Sequence, residues 1–344
     1  MGGSTDGRRG VDKLNIAITG GTGSLGRALV KDYLTGSVRA SRCVVVSRDE
    51  VKQGDLEAEY PEAGYPNLRL FLGDVRDKDR LVQAFWHCDT VIHTAALKRI
   101  SSFYSSGEIL KTNVLGTVNV IQAAVEAGVK RVLLISSDKA VAPTNFYGVS
   151  KAAAEGYAVQ ANTYAAPRGT NVSVLRYGNV LGSRGSVLEL WRRQWLAKQP
   201  LSITDPRMTR FLVSLPQAVG WVRAVADLME GGEIFVPVLP AAYVTAVADA
   251  AFPKWPRECI GIRPGGEKLH EALLSDEERT RLGLVSEGMV VVLPSPAPWR
   301  ASPSRFPPTT LPPYTSDRCA KMTAEEIRGW MDRKIPGWKG GQWS

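Results

Sequence analysis

The chain has 344 residues, 44% hydrophobic and 22% charged, an ordinary globular composition sized for one large elaborated domain or two. Its net charge of +9 is interspersed with acidic residues and forms no basic stripe with aromatics, which argues against nucleic acid and for an anionic small ligand. No run reaches the ~18 apolar residues of a membrane span, and Cys43, Cys88, Cys259 and Cys319 form no C-x-x-C pair, so the expectation is no membrane, no metal site, no disulfide framework and a reducing cytoplasm.

Residues 1–12 carry basic groups without an apolar core behind them and read as a disordered lead-in rather than a secretory signal. From 13 to 183, short β-rich runs alternate with helical patterns. NIAIT (15–19) precedes LGRALVKDYL, and CVVVS (43–47) precedes a charged loop. LRLFL (68–72) precedes DKDRLVQAFW, and TVIH (90–93) precedes ILKTNVLGTVNVIQAAVEAG. RVLLIS (131–136) precedes YGVSKAAAEGYAVQANTY, and NVSVLR (171–176) closes the series. Strands apolar on both faces that alternate with helices predict an α/β fold, a doubly wound parallel sheet of Rossmann type with its crevice at the strands' carboxyl ends.

Residues 184–344 lose that rhythm and read mainly as a smaller substrate lobe with a C-terminal extension, some later segments returning to the first domain. Within it, 294–313 is too rich in proline for a helix or a central strand. MTAEEIRGWMDRK near the end predicts one helix, with Thr323 as N-cap and Glu326 completing the box.

Chemistry concentrates where strands end. After the first strand, GGTGSLG offers Gly20, Thr22, Gly23, Ser24, Leu25 and Gly26 as a turn whose backbone N–H groups approach a pyrophosphate at a helix N-terminus. After the second, Ser47, Arg48 and Lys52 favour the 2′-phosphate of NADP over the ribose hydroxyl of NAD, although Asp49 and Glu50 leave a solvated charged loop as the plain alternative. Asp74 and Val75 end the third strand, where Asp74 could reach the adenine. The small Ala95 and Ala96 end the fourth and let a cofactor lie against the backbone. Tyr147 and Lys151 stand four apart on one helical face, and the ammonium group is expected to draw the phenol below its usual ~10.

Glycine loop, Ser136–Ser137 and Tyr-x-x-x-Lys together resemble the short-chain dehydrogenase/reductase superfamily, in its extended nucleotide-sugar branch. Asp138–Lys139 narrows the likeness to the inverting UDP-N-acetylglucosamine 4,6-dehydratases, which open the pseudaminic acid pathway and are related to capsule-sugar dehydratases; retaining dehydratases carry Asp-Glu there. The likeness runs over roughly residues 13–290 through ITGGTGSLG, SRDEVKQ, GDVRDKDRL, AALK, KTNVLGTVNVI, SSDKAV, FYGVSK, RYGNVLGSRGSV, MTRFLVSL and GIRPGGEKLHE.

The resemblance implies a lyase with tightly held NADP and a UDP-amino sugar substrate. It implies Lys139 as base at C5, Asp138 as acid at C6, and Tyr147 with Lys151 as the hydride-step pair. Asn113, Ser136 and Val180 complete the cofactor contacts, with Lys98 shared between cofactor and sugar. Asn179, Arg184, Gly185, Ser186, Val187, Arg263 and, more weakly, Arg210 face the substrate, the arginines suiting a diphosphate. A Lys139 pKa depressed by burial and by Lys151 is expected of a base. After AALK the family continues with a proline-containing loop, where this chain has RISSFYSSGEIL. A 4-epimerase, a retaining or 5,6-dehydratase, and a non-catalytic NADP-binding regulator stay open. The apolar circumference of 107–127, with the Tyr147 helix, also predicts a homo-oligomer.

Overall fold

A computed structural model describes residues 14–98, 106–262, 266–335 and 337–338. The expected lead-in, Arg263 and most of the RISSFYSSGEIL loop lie outside the described residues.

The alternating half folds as its pattern predicts. Strands β1 (Asn15–Thr19), β2 (Arg42–Ser47), β3 (Leu68–Leu72), β4 (Thr90–His93), β5 (Arg131–Ser137) and β6 (Asn171–Tyr177) pair in parallel in the order 3-2-1-4-5-6. Almost every residue of β1, β2, β4, β5 and β6 is buried, as a sheet covered on both faces requires. Order reverses between β1 and β4, the switch point at whose carboxyl ends an open α/β sheet places its ligand crevice.

The second half builds both on that sheet and beside it. Strands β7 (Asn179–Val180), β9 (Thr209–Val213) and β11 (Ala241–Tyr243) form a small sheet, and β8 (Leu201–Ile203) pairs with β12 (Arg257–Cys259). These pack with the helix Val187–Leu196 and the C-terminal helix Ala324–Lys334 around a second core of Leu188, Trp191, Val247, Ile327 and Met331. Meanwhile β10 (Ile234–Pro237) extends the main sheet in parallel beyond β6. Strands β14 (Met289–Val292), β13 (Leu282–Ser286) and β15 (Pro308–Thr309) then continue it antiparallel, giving ten strands among the described residues.

The proline-rich segment contributes only the two-residue edge strand β15, where a missing N–H is tolerated. It is pinned by Arg300 on the buried carboxylate of Glu233 and by the Trp299 indole, which donates to Gly231 O at 3.2 Å. Thr323 caps its helix and Glu326 closes the box, as expected.

Two local readings need correction. The charged stretch after β2 is a helix, Glu50–Glu59, capped by the Asp49 side chain on the N–H of Lys52 at 3.1 Å. Its weak apolar face, with Gln53 and Leu56 buried, hid it from periodicity. The long helix over 107–127 is also not uniform. A π-helical turn, Leu110–Leu115, separates Ser106–Ile109 from Gly116–Glu126 and turns Asn113 inward. Among the described residues no helix is long and apolar enough to cross a membrane.

Candidate functional site

The crevice floor is backbone. Gly20 takes φ +70°, and a Cβ there would lie 2.8 Å from the backbone of Ala95, at the end of β4. A Cβ on Gly26 would lie 2.5 Å from Gly20 O, so the turn and the helix Ser24–Thr35 close on each other only with glycine. Gly20 N–H is held by Val46 O at 2.8 Å, and the Thr22 and Ser47 hydroxyls meet at 2.8 Å, tying the turn to β2. The result is a smooth concave backbone opening on a helix N-terminus, a cradle for a pyrophosphate.

Several residues expected to touch a ligand also hold the crevice walls. Asn113 accepts from Leu97 N–H (2.8 Å) and donates to Leu97 O (2.9 Å) and Ser150 Oγ (3.0 Å), fixing the segment that carries Ala95 and Ala96. Val75 is buried against Gly116. Asp74 is gripped by Arg76 at 2.7 Å, with half-exposed Arg48 at 3.6 Å, and Lys52 pairs with Asp49. Across the mouth, Lys98 Nζ donates to Arg184 O at 2.9 Å and Ser24 Oγ accepts from Arg184 N–H at 3.0 Å. Lys98, Ser24 and the Arg184–Val187 segment therefore meet. The side-chain oxygens of Asn179, Ser136 and Ser186 are buried without hydrogen-bond partners among the described residues.

Beyond the end of β5 the chain makes one 3-10 turn, Asp138–Ala140, then enters the helix Phe146–Gln160, capped by Asn145 on Gly148 N–H at 2.9 Å. Asp138 is fully buried; its Oδ1 accepts from Ser137 Oγ at 2.8 Å and from Lys139 Nζ at 3.0 Å, while Oδ2 has no hydrogen-bond partner among the described residues. Burial raises the Asp138 pKa, and Glu271 adds to the rise against the pull of Lys139.

The expected depression at Lys139 does not occur. Burial pushes it down, but Asp138 and Glu271 outweigh burial and hold the ammonium form above its ordinary range. Lys151 is elsewhere: its Nζ donates to Ile135 O at 2.6 Å, and burial lowers its pKa to about 8. Tyr147 is likewise raised rather than lowered. Burial dominates, and the cation opposing it is Lys139, not Lys151. Proximity along the helix identified the pair, while the direction of the Lys151 side chain decided the electrostatics.

Sequence reasoning missed Glu271. It is 2% exposed and stands 3.3 Å from Lys139 Nζ, 3.2 Å from Lys268 Nζ and 3.9 Å from Arg210 Nε. Arg210, expected on the substrate, also donates to Thr209 O and Leu269 O. The available signal was the charge-dense GEKLHE, whose four polar groups come just before the buried Leu273 and Leu274. A second buried network lies behind the site, where Arg176 of β6 spans Glu155 of the Tyr147 helix (2.5 Å) and Glu278 (2.8 Å).

A parallel sheet of order 3-2-1-4-5-6, a glycine cradle at its switch point and an acid–amine–phenol cluster at the next strand end define a doubly wound nucleotide-binding protein with proton-transfer chemistry in its cleft. The chain belongs to the polysaccharide biosynthesis protein family, whose sequence profile matches residues 16–292. It is 43% identical over 269 residues to the UDP-N-acetylglucosamine 4,6-dehydratase (inverting) of Campylobacter jejuni, covering 78% of this chain and 79% of that one. To the UDP-glucose 4-epimerase of Rickettsia massiliae it is 39% identical, covering 79% and 80%. Among solved structures it is similar to Pen from Bacillus thuringiensis, with TM-score 0.84, 31% identity and coverage of 93% of this chain and 98% of that one.

Proposed function

We propose that this chain is a nicotinamide-dinucleotide-dependent 4,6-dehydratase that acts on UDP-N-acetylglucosamine and inverts configuration at C5. The observation that carries the reading is the buried Asp138–Lys139 pair, 3.0 Å apart and beside Tyr147. A 4-epimerase only oxidises and re-reduces one carbon. A dehydratase must also take the C5 proton and expel the C6 hydroxyl, so it needs an acid and a base more. The Campylobacter relative's activity supports the same reading over the epimerase.

The glycine cradle fits a dinucleotide, since a Cβ at Gly20 or Gly26 would fill the space that backbone needs. When bound, that cofactor supplies the hydride acceptor for C4 and the donor for C6. Tyr147 takes the C4 hydroxyl proton; because its phenol is raised, this step should speed up with pH. Lys139 and Asp138 rest as an ion pair. Passing one proton from Lys139 Nζ to Asp138 Oδ1 yields the amine and the acid together. The amine then removes the C5 proton, the C5–H electrons form the C5–C6 double bond, and the C6–O bond breaks as Asp138 protonates the departing hydroxyl to water. The ion pair is restored, and after C6 has been reduced the C4–C5 enolate takes a proton from solvent at C5 on the face opposite the one deprotonated, which inverts that centre.

The preference for NADP rests on Arg48, whose guanidinium is half-exposed at the end of β2. The partner of the chain in solution is a second copy: Leu110, Leu115, Phe146 and Val149, on the π-turn and the Tyr147 helix, are 42–51% exposed. Light scattering should give a dimer or larger, and a monomer at micromolar concentration would remove that reading.

The functional test is incubation with UDP-N-acetylglucosamine and mass spectrometry of the product. Loss of one water is expected. A product of unchanged mass, or no turnover, overturns the dehydratase reading.

A further inference from the structure

Glu271 has no part in the steps above, yet it is one of the most enclosed charges in the cleft. Lys139 already has a carboxylate partner in Asp138 at 3.0 Å. Burying a second carboxylate against the same amine is costly and adds little stability, which asks for another reason.

The surroundings are built to keep that carboxylate ionised and aimed. Burial would raise it, but Lys139, Arg210 and Lys268 together hold it below the ordinary glutamate range. Its backbone is clamped on both sides, Glu271 N–H donating to Ser316 Oγ at 2.9 Å and Glu271 O accepting from Ser316 N–H at 2.7 Å. Lys268 Nζ reaches back to Asp138 O (3.2 Å) and Val141 O (2.5 Å), so the 266–271 segment is locked to the turn that carries the acid and the base. Among the described residues, the remaining ionisable groups facing this cluster are Tyr147 from its helix and Lys98 from across the cleft, whereas His270 turns away to Thr209 Oγ1 at 2.8 Å.

We propose that Glu271 is the positioning carboxylate of the Lys139 base, holding the amine in the cleft and stabilising the ammonium that forms as Lys139 takes the C5 proton. This rests on the dehydratase reading above. The logic is that of any base oriented by a buried carboxylate: once the proton has passed to Asp138, the anion holds the amine in place and stands where positive charge returns as the C5 proton is taken. Asp138 cannot serve this way alone, because it must itself be protonated to release the C6 hydroxyl. Two carboxylates on one amine thus divide the work, Asp138 tending to the acid form and Glu271 staying ionised.

The test is Glu271→Gln in the full chain with its cofactor. Dehydration should fall about 100-fold, in the range for loss of acid–base assistance, while reduction of the nicotinamide in a single turnover, which needs only C4, persists. Removing an anion also weakens the hold of the Asp138–Lys139 pair on both its protons, so both limbs of the dehydration pH profile should move to lower pH. Glu271→Asp keeps the charge with a shorter reach, and should give an intermediate rate with the limbs unmoved.

A Glu271→Gln protein with wild-type dehydration, or one that is slower with its pH limbs unshifted, overturns the proposal. If Glu271→Gln does not fold, a wild-type rate in Glu271→Asp overturns it equally. A wild-type enzyme that yields no dehydrated product sinks the dehydratase reading itself, a result separate from any behaviour of the variants.

Discussion

The glycine crevice between β1 and β4 and the charged pocket beyond β5 adjoin each other but are made in opposite ways. The crevice comes from one contiguous run, residues 20–26, and works by what it lacks: a Cβ at Gly20 or Gly26 would strike backbone. The pocket gathers Asp138 and Lys139, Arg210, Lys268 and Glu271, and the Ser316 clamp from four distant stretches, and works by charges enclosed together. One is a shape that admits an anionic ligand; the other is a proton reservoir whose balance depends on every member. Damage to the first should weaken binding, and damage to the second should stop chemistry.

The largest effect that could break this contrast is at Lys139. Lys139→Ala should cut dehydration by about 10²–10⁴-fold and leave cofactor binding intact. It also leaves Asp138 and Glu271 buried without their shared cation, so a loss of about 3–5 kcal/mol is expected in denaturant titration. Normal dehydration would show that the pocket is structural.

Behind the pocket, Glu278 is held below the usual glutamate range: burial raises it, and Arg176 more than reverses that. A depressed folded-state value means its stabilisation is present above the ordinary ~4.3 and is lost as pH falls through the folded value. Glu278→Gln should therefore cost about 1.5–3 kcal/mol at neutral pH, and the gap from wild type should close in acid. A pH-independent gap would show that the pair's charge is not what stabilises.

The smallest effect lies at the crevice rim. Arg48→Ala should weaken NADP binding by about 1 kcal/mol, since a half-exposed guanidinium is screened, and leave NAD binding unchanged. Equal losses in calorimetry would mean that Arg48 does not read the 2′-phosphate.

The same contrast explains what the sequence disclosed. β1 to β6 were legible because each is a short apolar run bounded by turn residues, and the glycine cradle because its spacing is local. Asp138, Lys139, Tyr147 and Lys151 were singled out from local motifs too, and the structure brings the first three together. Glu271 was not, because its importance arises from a contact with Lys139 across 132 positions of sequence, read from the ion pair between them. The directions of the Lys139 and Tyr147 shifts failed for the same reason: they depend on Glu271 and on Lys151 pointing to Ile135 O. A return of later segments to the first domain was expected, but β10, β13 and β14 were not located because the rhythm loosens after residue 183.

The central claim is that Lys139 takes a proton from C5 while Asp138 protonates the departing C6 hydroxyl, and that the sugar leaves with C5 inverted. Turnover of UDP-N-acetylglucosamine in deuterium oxide, followed by NMR, tests it directly. The account predicts a 6-deoxy-4-keto product with solvent deuterium at C5 and inverted configuration there. A product that keeps its original C5 proton, or its original C5 configuration, would contradict it.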